Sequence, residues 1–353
     1  MRGSVPAGAA GSALEVLTSS VGQHPRIEAY LPGSGRLRTR AFSQDGPSSV
    51  QDVRRYGVYG MPPDELAEVP AGAVQLSPLI PGSEALEAQE EGSFSSLVVL
   101  APPGTVERRT TIALALKALA PSGALTVLAP KDKGGSRIAK ELKGFGCKVD
   151  ETSRRHHRIC ACERPDDLTG IDEALAEGRP RLDEASGLWT QPGVFSWNRI
   201  DPGSALLEQN LPPLNGRGAD FGCGIGYLSR AVLASPKVEH LSLIDIDRRA
   251  VEMAARNIDD LRVAFHWADI RGGTPLKGLD FVVMNPPFHD GGAEDQSLGQ
   301  TFIRRAAEAL RPGGVLWVVA NRHLPYEGVL KPGFRRVNSL VEAAGYKVYE
   351  AWK

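Results

Sequence analysis

The chain has 353 residues, 42% of them apolar and 24% charged, with a formal net charge of −1. This length exceeds one ordinary core and predicts two domains of a soluble, globular type. The near-zero charge excludes a global field that draws the molecule onto nucleic acid or membrane, so any such partner must be met by a local patch.

The N-terminal stretch MRGSVPAGAAGSALEVLTSS has one Arg and no sustained apolar core, which argues against a secretory signal. No run in the chain reaches the length of a transmembrane helix. At 98–104 comes VVLAPPG, an apolar strand ending in a Pro-Pro turn. ALKALAPSGALTVLAP (115–130) then predicts an amphipathic helix, a Pro-Gly break and a buried strand. Residues 131–158 are basic, with nine Lys/Arg against four Asp/Glu, and end in SRRHHR (153–158). Arg154, Arg155 and Arg158 are the candidate phosphate contacts there; a solvated helix face followed by an ordinary strand is the plainer alternative. Cys160 and Cys162 form a C-x-C with no second ligand pair, so no metal is expected. With only four cysteines, a reduced cytoplasmic setting fits best. The acidic, Pro- and Gly-containing stretch 166–187 predicts a linker, with domains at 1–180 and 181–353.

GADFGCGIGYLSRAVL (218–233) predicts a strand, a glycine-rich turn and a helix. A dinucleotide fingerprint would need glycine where Tyr227 stands, and no Gly-Lys-Ser/Thr follows for a P-loop. A tight turn with no ligand is the plain alternative. The next strand ends at Asp245, an acidic position suited to the two hydroxyls of a ribose, and Asp247 is expected to cap the following helix. A third strand ends at Asp269, which can accept from an adenine amino group while Ile246 and Ile270 pack on the ring faces. Asp269 reads equally well as a solvated loop acid. An adenine and a ribose, without a site for pyrophosphate or triphosphate, fit S-adenosylmethionine.

The fourth strand ends in VVMNPPF (282–288), the same turn as at 98–104 with Asn285 in place of Ala101. An exocyclic amine is a poor nucleophile and needs acceptors for its two N–H groups. The Asn285 side-chain oxygen and the Pro286 carbonyl can supply them, and Phe288 can stack on a flat substrate. Ala101 can do none of the side-chain part. AAEALRPGGVLWVVAN (306–321) repeats 115–130, and GYKV (345–348) repeats GCKV (146–149), each expected to open a last strand. The N-terminal counterpart of the glycine loop, read as GSALEVLTSSV (11–21), has no glycine turn. Three matches in one order predict a duplicated domain with one working and one retired copy.

This combination resembles the class I S-adenosylmethionine-dependent methyltransferases that carry N-P-P-F/Y. QPGVFSWNRIDPGSALLEQNLPP (191–213), NPPFHDGG (285–292) and VANRHLPYEGVL (319–330) look like the bacterial 16S ribosomal RNA guanine-N2 methyltransferases of the small-subunit type. KDKGGSRIAKELKGFG (131–146) is similar to that family's N-terminal domain. The resemblance implies an α/β fold of two tandem Rossmann-like methyltransferase domains, the first degenerate and serving RNA binding or as scaffold. It implies cofactor contacts at Asp220, Gly222, Gly224, Asp245 and Asp269, and acceptor contacts at Asn285, Pro286 and Phe288. Asp201, Gly203 and Ser204 are expected to close over the cofactor. The implied partner is 16S rRNA or the small ribosomal subunit, met by a monomer whose halves pack as an internal pseudo-dimer. The N-P-P-aromatic turn also serves glutamine and DNA adenine methylation, and a non-catalytic RNA-binding assembly factor is a further reading.

Overall fold

A computed structural model describes residues 27–29, 55–287, 289–290, 293–294, 296–324 and 326–353. β1 (Ile27–Ala29) comes first in the chain and does not join the sheet that follows it. That sheet is built from β2 (Tyr56–Tyr59), β3 (Val74–Gln75), β4 (Phe94–Leu100), β5 (Leu119–Pro130), β6 (Asp150–Arg154) and β7 (His157–Glu163), in the order β3-β2-β4-β5-β7-β6. β4 and β5 are joined by α1 (Thr105–Ala118), and α2 (Gly135–Gly144) leads to the β6–β7 hairpin. α3 (Ile171–Glu177) falls within the stretch read as linker, yet its Ile171 and Ala174 are buried in the first core.

A short ribbon, β8 (Arg181–Asp183) with β9 (Leu188–Thr190), leads to α4 (Pro202–Asn210) and the second sheet. Its elements are β10 (Gly216–Phe221), α5 (Tyr227–Leu233), β11 (Val238–Asp245), α6 (Arg248–Asn257), β12 (Val263–Trp267) and β13 (Leu279–Met284). A two-residue ribbon, β14 (His289–Asp290) with β15 (Ala293–Glu294), precedes α7 (Gln296–Ala309). β16 (Leu310–Asn321), α8 (Glu327–Gly333), β17 (Arg336–Ala343) and β18 (Tyr346–Trp352) complete it. The order is β1-β12-β11-β10-β13-β16-β18-β17, parallel except for the antiparallel pairings of β18 with β16 and β17.

The two sheets repeat each other down to an irregularity. Phe94 pairs with Leu119 and Ser96 with Ala124; Leu279 pairs with Leu310 and Phe281 with Val315. Each central strand thus slips against its neighbour at the Pro-Gly segment, which lies inside β5 and β16 and is not a break before them. Both central strands are buried on both faces, as parallel strands covered by helices must be.

Three expectations change. GSALEVLTSSV (11–21) lies outside the described residues; the strand that stands where β10 stands is β2, followed by Gly60, Met61, Pro62 and Pro63. GCKV does not open a last strand. It precedes β6, whereas GYKV opens β18, and the strand matching β18 across its sheet is β7. Four shared letters carry too little pattern to fix a register. Finally, Ile27–Ala29 pairs in parallel with Phe265–Trp267, so this N-terminal segment covers an edge of the second sheet.

The lobes meet through a buried charged cluster. Glu107 of α1 contacts Arg249 of α6 at 2.8 Å, and Arg249 also pairs with Asp247 at 2.8 Å. Burial pushes the Glu107 carboxyl up, with Arg249 opposing. Burial alone would lower the Arg249 pKa, but Asp247 and Glu107 together hold it well above its usual value. Beside them the Pro78 carbonyl accepts from Arg248 N at 3.0 Å and from Trp267 Nε1 at 3.1 Å.

Candidate active site

In a doubly wound sheet the strand order reverses at one point, and the loops leaving the carboxyl ends there diverge to leave a crevice. Here the reversal lies between β10 and β13. The loops at that place are the glycine turn after Phe221 and the turn that starts at Asn285.

Gly222, Gly224 and Gly226 have φ of 75°, 52° and 84°, left-handed values that side-chain-bearing residues adopt only with strain. Gly222 N and Cys223 N donate to the Ile244 carbonyl at 2.8 and 3.1 Å, and Gly224 N donates to Asp245 Oδ2 at 2.8 Å. The other Asp245 oxygen accepts from Asp247 N at 2.9 Å. Burial pushes the Asp245 carboxyl up to about 6 against these bonds. Asp247 caps α6 through Arg249 N at 3.0 Å, as expected. Asp220 is fully buried: Oδ2 accepts from Ser229 Oγ at 2.6 Å, and Oδ1 has no partner among the described residues. Burial pushes its carboxyl up to about 7, Ser229 opposing and Asp245 adding to the rise.

The other expected cofactor residues differ in their availability. Asp269 caps the short helical turn after β12 and accepts from Arg271 Nε at both oxygens, at 2.9 and 3.0 Å, so each oxygen already has a partner. The Ile246 carbonyl accepts from Trp267 Nε1 at 2.8 Å. Ile270 is 3% exposed and packs into the core with Ile244 and Phe302, which leaves little of it for a ring face.

Asn285 is held by its nitrogen. Nδ2 donates to Asp201 Oδ2 at 2.8 Å and to Ser204 Oγ at 2.8 Å. A carboxylate only accepts, so Asp201 decides which end of the amide faces it. The oxygen Oδ1 is left buried and without a partner among the described residues. Asp201 and Ser204, expected to close over a cofactor, line the cavity beside the glycine turn and grip Asn285 from the start of α4. Asp201 also caps that helix, accepting from Ser204 N at 2.8 Å, and Gly203 lets the turn pack against the Tyr346 ring. Pro286 is buried behind Asn285. Phe288 lies outside the described residues.

A cavity joins these groups. Gly222, Cys223, Gly224 and Asn285 line it together with Phe195, Ser196, Arg199, Ile200 and Asp201. Asn257 braces the glycine turn from below, donating through Nδ2 to the Ile225 and Trp189 carbonyls at 2.9 Å each. Phe195, Arg199 and Asn257 carry no role in the sequence analysis. Their signal is weak: one of two aromatics and an Arg in a loop stretch rich in Pro, Gly and Ser, and the last residue of a helix.

At the matching Pro-Pro turn of the first lobe a charged side chain is buried against the backbone. Arg108 of α1, fully buried, pairs with Glu141 at 2.7 Å and donates to the Pro103 carbonyl at 2.8 Å. The Pro103 carbonyl of that turn is therefore consumed internally, while the Pro102 carbonyl, the counterpart of Pro286, receives the same guanidinium nitrogen only at 3.5 Å. Gly134 makes room for the guanidinium. In the second lobe the sizes are exchanged: Gly299 lies on the helix and Tyr326 reaches to it from the loop.

The three arginines sit on the β6–β7 hairpin of the first lobe. Arg154 is exposed, Arg155 pairs with Glu65, and Arg158 pairs with Glu151 at 2.5 Å. Among the described residues no group of His, Cys, Asp and Glu could hold a metal ion, and no helix is long and apolar enough to cross a membrane.

Comparison with known proteins agrees with this geometry. Residues 185–350 match the family model of the methyltransferase small domain. A ribosomal RNA small subunit methyltransferase C of Pseudomonas paraeruginosa is 34% identical over 317 residues, covering 83% of this chain and 92% of its own length. The chain belongs to that family. A relative of the same name from Shewanella sediminis is 30% identical over 266 residues, covering 74% of this chain and 77% of its own. The fold matches the T. thermophilus 16S rRNA N2 G1207 methyltransferase in complex with AdoMet and guanosine, with a TM-score of 0.69 and 24% identity, covering 86% of this chain and 90% of the other. The two tandem methyltransferase-like lobes of α/β type, the first degenerate, are thus the family's architecture.

Proposed function

We propose that this protein transfers a methyl group from S-adenosylmethionine to the exocyclic N2 amine of a guanine in 16S rRNA. One observation carries the reading: an amide whose nitrogen is tied back and whose oxygen is buried, unpartnered among the described residues and placed at the switch point of the working lobe.

The residues present fit the cofactor. The glycine turn admits its amino acid end, and Asp220 and Asp245 supply negative charge toward an ammonium and a ribose. When bound, the sulfonium supplies an already activated methyl group, so the protein's task is placement. Asn285 Oδ1 accepts one N–H of the target amine, and the Pro286 carbonyl accepts the other. Together they turn the nitrogen lone pair toward the methyl. Asp201 and Ser204 keep the amide from rotating and offering its NH2 end. No general base is required, because the proton leaves once transfer has made the nitrogen cationic.

Residues 181–353 form the catalytic unit in this reading and residues 1–180 the degenerate lobe, with β1 donated across. Arg154, Arg155 and Arg158 are the proposed phosphate contacts, and the protein acts as a monomer in the cytoplasm. The target guanine has to leave its stack to reach Asn285. Incubating the protein with S-adenosylmethionine and 16S rRNA or small subunits, then digesting to nucleosides, tests this. Mass spectrometry is expected to find new N2-methylguanosine; methylated adenine or glutamine alone would overturn it.

A further inference from the structure

Phe195 is 60% exposed. Among the described residues it is the only aromatic of the exposed large hydrophobics, the rest being Ile27, Met61, Leu79, Leu182, Leu261 and Leu340. It is also the one that lines the cavity shared by the glycine turn and Asn285.

Its exposure is built into the backbone. Val194, next to it, is 2% exposed and anchors the turn. Trp197 N donates to the Val194 carbonyl at 3.2 Å, and the Trp197 carbonyl accepts from Thr190 Oγ1 at 2.8 Å. Ser196, directly after Phe195, has φ of 55° and donates through Oγ to the Arg199 carbonyl at 2.8 Å. Both flanks of Phe195 are pinned by these bonds, with Ser196 in the left-handed region.

We propose that Phe195 is the stacking wall for the extruded acceptor base in the cavity it shares with Asn285. The assignment rests on the methyltransferase reading above. A base pulled from its helix loses its neighbours on both faces, and an aromatic ring restores one of them. The cofactor's own flat ring is the competing occupant. Its expected partners, Asp245 and Asp269, end β11 and β12, on the far side of β10 from Asn285. Phe195 shares its cavity with Asn285, and neither of those acids lines it. On the methyltransferase reading the glycine turn receives the cofactor's amino acid chain, which has no flat face. The acceptor base is the planar group left for Phe195.

Three variants of the full-length protein decide it: Phe195→Ala, Phe195→Leu and Phe195→Tyr. Each is assayed for methylation of 16S rRNA or subunits and for S-adenosylmethionine affinity by calorimetry. Loss of stacking is expected to lower kcat/KM for RNA by roughly 5- to 100-fold in the Ala and Leu variants. Tyr is expected to restore it to within about three-fold, and cofactor affinity is expected to stay within about two-fold throughout. Leu keeps the apolar bulk without the π face, so a purely structural role leaves Leu active and overturns the assignment. A wild-type rate in Ala overturns it as well, and a loss of cofactor affinity moves the ring to the cofactor. If the wild-type protein methylates no RNA, the methyltransferase reading falls and this assignment falls with it.

Discussion

Asp201 accepts a hydrogen bond from Asn285 Nδ2 at 2.8 Å across 84 residues of sequence. One carboxylate oxygen both caps α4 and sets the amide's orientation. Replacing Asp201 by Ala leaves Asn285 Nδ2 only the Ser204 hydroxyl, which can donate as well as accept and so no longer dictates which end of the amide faces it. The methyl-transfer step is expected to slow by on the order of 10- to 100-fold, the scale of a small misplacement at a reacting centre. Cofactor affinity is expected to hold, and thermal unfolding should show the loss of a helix cap, about 1 kcal/mol. Single-turnover methylation beside calorimetry checks both.

Asn285→Ala removes the acceptor itself. Turnover is expected to fall to background, a loss of at least about 10²-fold, with S-adenosylmethionine binding intact. A variant that turns over like the wild type removes Asn285 from the reaction.

Asp220 and Asp245 give a pH signature. Their carboxyls are pushed up to about 7 and about 6 by burial, from 3.8. Between these values the folded protein holds protons that the unfolded chain has released, so stability falls as pH rises from about 4 to about 7 and levels off above. Urea unfolding of the cofactor-free protein at pH 5, 6, 7 and 8 is expected to show this slope, and Asp220→Asn to flatten it. Cofactor affinity should run the other way, rising from pH 6 to 8 as the carboxylates ionise against a cation. Asp245→Ala at pH 8 is expected to cost about 1.5–3 kcal/mol of cofactor binding.

Arg249 holds Glu107 and Asp247 apart between the lobes. Arg249→Ala leaves two buried carboxylates facing each other and is expected to cost about 3–5 kcal/mol of stability in denaturant titration. The Asp247 backbone N–H binds Asp245, so cofactor affinity is expected to weaken in the same variant.

The basic hairpin makes a separable prediction. Neutralising Arg154, Arg155 and Arg158 is expected to make the slope of log K for RNA against log salt shallower, by about 0.7–0.9 for each phosphate left without its arginine. Cofactor affinity should not change. Because Arg155 and Arg158 already face Glu65 and Glu151, Arg154 alone is expected to carry the largest single share.

Much was legible in the chain itself. The alternation of apolar runs with Gly and Pro pointed to the duplicated α/β architecture, and the glycine turn with acids ending the next two strands pointed to the nucleoside site. The contrast of Asn285 with Ala101 separated the working lobe from the retired one. These signals are local: each rests on a few neighbouring residues whose backbone needs or chemistry show in their identity. What the sequence alone could not decide was every relation set by long-range packing. The grip of Asp201 and Ser204 on Asn285, the Arg108 plug in the first lobe, the Arg249 bridge, the burial of Ile270 and the edge strand at Ile27–Ala29 join residues tens to hundreds of positions apart. A side chain's partner is chosen by where the sheets bring it and by what water is excluded around it, and neither is written in its own neighbourhood.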